Sequence, residues 1–523
     1  MTMLTINDFA TPGINSDLSP WLLPNGAITS GENFRIQNGK IGNFGNYEDW
    51  SSPGGAASSF KPGFAIRVPA ASDYILIAGR TAVYAFDGIS FFNISNALGY
   101  AGIGVDQELD WTGSMLGRIP VINNPQIYPE YWEPQNTSQL MQDLPFVNGF
   151  STWRGLGYHC KSMRSHKNFL IAMNLQEGVS ELKDSYRWSH PADTNSIPFT
   201  WDETDPTNLA GKASLGGDGG EIIDGKSLRD AFAIYSETAI DILDYTGDSF
   251  VFNRRELSST TGLLSRRALT EVKGSHFVLA DGDIIRNDGN TITSIIHKRL
   301  QKRLAANMQT DAYLRSFALN NVSRKEVWFC VPEGGSNYPN VAYVYNWIDD
   351  SWSIKDVPPI AHATYAPRAE PSETWATIAG TWATVSGVWG SRKRTPNDDN
   401  VIGIENSPTV INILDDVASA TGTFQTIIER TNLKFTDDES SNTLNTIYPR
   451  IEGNVTLSIQ VGAQDFPDGP ITWDIAQNFN SATDVKLDVR ATGKLHCWRI
   501  ISNISAQWWL SSMDFVYVSD GIR

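Results

Sequence analysis

Strand-and-turn groups recur along most of this chain at a spacing of roughly 40–50 residues, the length of a four-stranded propeller blade. The first group holds FAIRV, DYILIAG, TAVYAFDG and SFFNIS, from Phe64 to Ser95. Its Asp-Gly step marks a hairpin, because both residues tolerate positive φ. LDWTGSM, GRIPVINN and IYPEYW form a second group from Leu109 to Trp132, and NFLIAMN with SYRWSH a third. EIIDG, DAFAIYS, AIDILDYTG and SFVFNR make a fourth, with apolar and polar residues alternating at period two. ALTEV, SHFVLADG, DIIRNDG and TITSII are the fifth; LRSFALNN, EVWFCVP, NVAYVYNW and SWSIKDV the sixth. A seventh combines HATYAP with NVIGIEN and TVINILDD near Ile413. The reading is all-β: a β-propeller of six to eight blades over residues 61–420, with insertions. β-sandwiches in series would give a similar pattern.

The flanks differ. Residues 1–60 are rich in Pro, Gly and Asn with short apolar pieces, which predicts an extended N-terminal arm packed on something else. From 421 to 523, about seven short strands joined by turns have the spacing of a C-terminal β-sandwich of about 100 residues. Two stretches read as helix: His297 to Leu314, with Leu300 and Leu304 four apart, and more weakly Ser138 to Leu144.

Composition agrees with an all-β chain large enough for two or more domains: 523 residues, 19% charged, with 17 Trp, 17 Tyr and 23 Phe. The net charge of −17 argues against a sequence-specific nucleic-acid reader, though not against a surface past which DNA slides. Cys160, Cys330 and Cys497 are far apart and lack CxxC spacing, so free buried thiols in a reducing cytosol are expected. The opening MTMLTINDFATPG has no basic n-region or apolar h-region, and no run approaches ~18 apolar residues. Neither a secretory signal nor a membrane-spanning segment is expected.

A search for chemistry yields no catalytic, metal or cofactor site. His159, Cys160 and His166 match no zinc spacing, and Asp281, Asp283 and Asp288 lack the pattern of a calcium loop. GxSxG is absent. GGDGGE at Gly216–Glu221 is neither a dinucleotide fingerprint nor a phosphate loop. Two features stand out instead. Between Val251 and Arg303 ten basic residues face five acidic ones. Of these, Arg254, Arg255, Arg266, Arg267, Lys298, Arg299, Lys302 and Arg303 are candidates for subunit or DNA contact, since guanidinium forks bind phosphates bidentately. A solvated face with ordinary surface pairs explains them equally. Arg392, Lys393 and Arg394 form a smaller patch read as exposed linker. Trp375, Trp382 and Trp389 recur every seven residues, as packing units or as docking aromatics.

GINSDLSPWLLPNGA, ENFRIQNGKI, VINNPQIYPEYW, RWSHPADTNSIPFTWD, TNLAG, AIYSETAIDILDYTG, the SSTTGLLS step from Ser258 to Ser265 and VYNWIDDSWSIKDV follow one another in order. In that order the chain resembles the tail hub or nozzle proteins of short-tailed bacteriophages, the packaged-DNA stabilisation and tail-tubular-B group. The likeness covers nearly the whole chain and is least specific in the C-terminal sandwich. It implies a structural, non-enzymatic virion protein with a propeller body. The implied partners are further copies in a homohexameric ring, the tail adaptor ring, tailspikes or fibres, distal tail-tip proteins, and double-stranded DNA passing through without sequence specificity. It implies assembly in the cytoplasm of the bacterial host and residence in the virion tail. The alternatives are a glycan-degrading propeller enzyme, which needs an acidic pair at one mouth of the propeller, and a glycan- or receptor-binding tail component.

Overall fold

Period-two alternation in the middle of the chain becomes seven four-stranded antiparallel sheets arranged as the blades of a β-propeller. The computed structural model describes residues 2–51, 59–69, 73–134, 137–217, 219–247, 251–367, 399–406, 410–416, 424–436, 440–467 and 469–521. The first strands of blades one to seven are Pro62–Val68, Thr112–Leu116, Tyr158–His166, Ile222–Leu228, Leu269–Val272, Phe317–Asn321 and Ile360–Pro367. Each packs beside the next, and the seventh returns to the first, so these strands encircle the axis. The count is seven, within the six to eight expected.

The hydrophobic core lies in layers between blades. Trp111 and Trp132 are fully buried between blades one and two, and Trp153 and Trp201 between two and three. Trp328 is fully buried between blades six and seven. Each such ring removes a large apolar area from water. Close backbone approach is decisive at Gly211, which opens the fourth strand of blade three opposite Trp188. A Cβ there would lie 2.2 Å from the indole.

The ring closes with a strand from the other end of the sequence. Asn46–Ser51 pairs antiparallel with Ile411–Asp416 and becomes the fourth strand of blade seven. The four strands before it belong to the C-terminal sandwich. Thr2–Ile6 and Lys40–Asn43 pair with Trp509–Gly521, and Phe34–Gln37 pairs with Lys40–Asn43. Ser30–Glu32 pairs with Thr426–Leu433 in the opposing sheet. Residues 2–51 are therefore divided between the two halves of the molecule as sheet strands.

Two helix expectations change. Within 297–314 the α-helix is confined to Gln301–Asn307, because Lys298 has φ 59° and Met308 turns extended to bridge Glu333; a 3-10 turn follows at Tyr313–Arg315. Ser138–Leu144 is not helical: it forms turns and the short strand Gln142–Asp143, paired with Glu130–Tyr131. All three cysteines are free and buried. No helix among the described residues is long and apolar enough to cross a membrane.

Candidate functional site

The basic island of the sequence is separated by the fold into three places. Arg254 and Arg255 lie on Phe252–Ser258, the outer strand of blade four. Arg254 Nε donates to Asp241 at 2.8 Å, and Arg255 pairs with Asp244 at 2.8 Å and with the Gly289 carbonyl. Arg266 and Arg267 precede the first strand of blade five and reach across the axis. Arg266 meets Asp110, ahead of blade two, at 3.1 Å, and Arg267 Nη1 donates to the Gly63 carbonyl of blade one at 2.7 Å.

The third group fastens the N-terminal segment to the propeller. Asn15 donates to the Lys298 carbonyl and Ser16 N to that of Arg299. Lys302 Nζ donates to the Asp17 carbonyl at 2.8 Å, Arg299 pairs with Asp350, and Arg303 stands 3.8 Å from Glu32. Most island cations thus have an acid or carbonyl partner within the chain, while Lys298 and Lys302 remain exposed. Trp375, Trp382, Trp389 and Arg392, Lys393 and Arg394 lie outside the described residues.

The Ser-His-Pro-Ala-Asp step supports a loop. Ser189 Oγ accepts from Leu170 N at 3.0 Å, Ala192 N donates to the Asn168 carbonyl at 2.7 Å, and His190 Nδ1 accepts from Leu209 N. These bonds hold the connection between the third and fourth strands of blade three. His159, Cys160 and His166 diverge: His159 bonds the Ile127 carbonyl, Cys160 is buried, and His166 bonds Ser227 Oγ. Asp288 accepts from the Asn290 and Thr291 amides, as a turn residue does. Among the described residues no group of three or more His, Cys, Asp or Glu is placed to hold a metal.

A carboxylate pair converges in blade two. Asn96 Nδ2 donates to Glu130 Oε1 at 2.8 Å and to Asp143 Oδ1 at 3.0 Å, and Arg154 Nε donates to Asp143 at 2.7 Å. Both acids sit on the outer strands of blade two, away from the axis. Glu130 is fully buried, which pushes its carboxyl up to about 8 despite the Tyr100 hydroxyl bonded to it, and neighbouring Asp143 adds to the rise. A folded-state value above the unfolded one means stability that is complete below about 4.5 and is lost as pH rises towards 8. The thermal midpoint is therefore expected to fall between pH 5 and 8 by an increment that Glu130→Gln removes, at most about 1.4 kcal/mol per pH unit. Parallel pH–melting profiles of the two proteins would contradict this.

A second charged cluster, which no sequence motif announces, lies on the propeller axis. Arg164, Asp224, Lys226 and His362 lie on the first strands of blades three, four and seven. Arg164 Nε donates to Asp224 Oδ1 at 2.9 Å, and His362 Nδ1 accepts from Ala65 N at 3.2 Å. The available signal was weak: one or two charged or titratable residues within short inner strands such as IIDGKSL and IAHATYAP.

No protein-family model matches the chain, and no curated protein matches it. Among solved structures it is similar in fold to virginiamycin B lyase from Staphylococcus aureus, with 9% identity and a TM-score of 0.39, covering 71% of this chain and 99% of that one. It is also similar to the Swd1 β-propeller domain from Myceliophteria thermophila, with 8% identity and a TM-score of 0.36, covering 68% and 100%. The AfRom2 CNH domain gives 8% identity, a TM-score of 0.36, and coverage of 71% and 99%. These are likenesses of fold alone.

Proposed function

We propose that this chain is a non-enzymatic structural protein of a short-tailed phage virion. It is a tail hub or nozzle subunit that assembles into a ring, retains and conducts genomic DNA, and carries adaptor, tailspike or fibre and distal tail parts. The observation that carries this reading is the way residues 2–51 build both halves, entering each sheet of the sandwich and closing the propeller. Such interlacing makes one stiff body from two domains, as a subunit holding neighbours in register requires. The ordered sequence resemblance to the hub group supports the same reading. So does the net charge of −17, because phosphates that adhere to a channel wall would stall ejection. Three buried free thiols suit folding in a bacterial cytoplasm before incorporation into the virion tail.

The central channel belongs, in this proposal, to the ring of subunits and not to the propeller, whose axis Arg266 and Arg267 cross. The test is the mass of the purified chain in solution, alone and with the adaptor ring. A ring of subunits, formed alone or on the adaptor, is expected. A chain that stays monomeric with the adaptor and cleaves or binds cell-surface glycans would overturn the proposal.

A further inference from the structure

Charge on the propeller axis is not balanced by the protein. Arg267 starts in blade five, its backbone N lies 3.4 Å from Asp224 Oδ2, and its side chain ends on the Gly63 carbonyl of blade one. Arg164 grips the same Asp224 and reaches the Gly113 carbonyl of blade two. Lys226 is two residues along the strand from Asp224, hence on the same face. Arg164 and Lys226 therefore lie beside one fully buried carboxylate, and the Arg267 guanidinium has Asp110 and the same Asp224 as its acidic neighbours. The next acid, Glu271, has its carboxylate on the Gly274 amide at 2.6 Å, and Asp110 pairs with Arg266.

Two donors are left over. Arg267 is 5% exposed, and its Nε is buried with no hydrogen-bond partner. The Lys226 amine makes neither a hydrogen bond nor an ion pair with any described residue. The residue is half-buried, two positions from the fully buried Asp224. His362 supplies no negative charge: burial, then Arg267, Arg164 and Lys226, hold it neutral. Uncompensated buried charge is costly, and a guanidinium cannot escape by losing its proton. Lys226 is already driven down to about 8 by burial and Arg164.

We propose that a small oxyanion of phosphate size occupies the propeller axis, held by Lys226 and Arg267 beside the Arg164–Asp224 pair. It neutralises the surplus charge where the inner strand of blade four meets the segment that leads into blade five. A polynucleotide is a poor occupant, because the Arg267 side chain spans the axis.

The probe is inorganic phosphate on the full-length chain. Protein dialysed against a bulky organic anion is denatured and assayed for released phosphate, and its thermal midpoint is followed at constant ionic strength near pH 6.5. Either about one phosphate released per chain, or a midpoint rising by about 2 °C or more at about 20 mM phosphate, is expected. Lys226→Met should abolish the release or the rise and melt higher than wild type without phosphate. Lys226→Gln serves if the first variant does not fold, and Lys183→Met, on the exterior, should behave as wild type. Absence of both release and shift in the wild type, or equal responses in wild type and Lys226 variants, would overturn the proposal.

Discussion

Arg35→Met is expected to destabilise the protein by about 3–5 kcal/mol, the usual cost of removing one partner from a buried ionic cluster. Arg35 is fully buried on Phe34–Gln37. Its Nε donates to Glu326 of blade six at 2.6 Å, Nη2 bonds Asp415 of blade seven, and the guanidinium lies 4.3 Å from the Phe44 ring centroid. Burial pushes Asp415 up, but Arg35 and Lys355 outweigh it and hold the carboxyl below its usual range. Methionine fills much of the space yet leaves two buried carboxylates with only Lys355 and Arg324 as cationic neighbours, beside the neutral donors Trp328 Nε1 and Gly45 N. Lys355 Nζ is already committed to the Gly45 carbonyl at 2.6 Å. If lost compensation is the cause, adding Glu326→Gln and Asp415→Asn to Arg35→Met recovers most of the loss. Denaturant unfolding followed by tryptophan fluorescence checks both steps. A single variant within about 1 kcal/mol of wild type would show that the cluster does not hold sandwich and propeller together.

That cluster also shows what the sequence could and could not disclose. The blades were legible because each is local: four strands joined by short turns, with period-two alternation and Asp-Gly or Gly steps where the chain reverses. FAIRV to SFFNIS and ALTEV to TITSII became blades one and five essentially as read. Pairings across the length of the chain left no such trace. NYEDWS is short and half polar, and nothing in it says that it completes a sheet begun at Ile360. Ser30–Glu32 and Lys40–Asn43 are likewise too short to declare partners as distant as Glu429 and Leu510. The arm read over residues 1–60 was a fair description of texture, but texture does not record partnership.

The charged sites failed to be legible for a related reason. Counting charges within Val251 to Arg303 grouped residues by sequence that the propeller distributes to an outer strand, the axis and the joint with the N-terminal segment. The converse grouping, Arg164 with Asp224, Lys226, Arg267 and His362, gathers one or two residues from each of four blades, none unusual in its own neighbourhood. A propeller concentrates at its axis whatever its inner strands carry, so the informative signal is one charged residue per inner strand. That signal is readable only once the strands are known to be inner.

Deleting residues 1–51 is expected to abolish folding, whereas loss of a peripheral arm would leave the body intact. The deletion takes Thr2–Ile6, Phe34–Gln37 and Lys40–Asn43 from one sandwich sheet and Ser30–Glu32 from the other. It takes Asn46–Ser51 from blade seven, uncovering Ile411–Asp416, where Ile411, Ile413 and Leu414 are buried. Ile6, Phe9, Ile14, Ile28, Phe34, Ile36, Ile41 and Phe44, all buried, go with it. At about 1.5–3 kcal/mol for each large apolar side chain, the loss matches or exceeds the roughly 5–15 kcal/mol that domains generally have. The exposed edge of blade seven invites pairing between chains, so aggregation is the expected form of failure. Supplying residues 1–51 as a separate polypeptide during expression should restore soluble protein, because the missing strands pair through backbone hydrogen bonds that need no covalent link. Soluble yield, size-exclusion profile and thermal midpoint decide the matter. A truncated chain that is soluble and melts with the full-length protein would show that the propeller closes without its N-terminal strand.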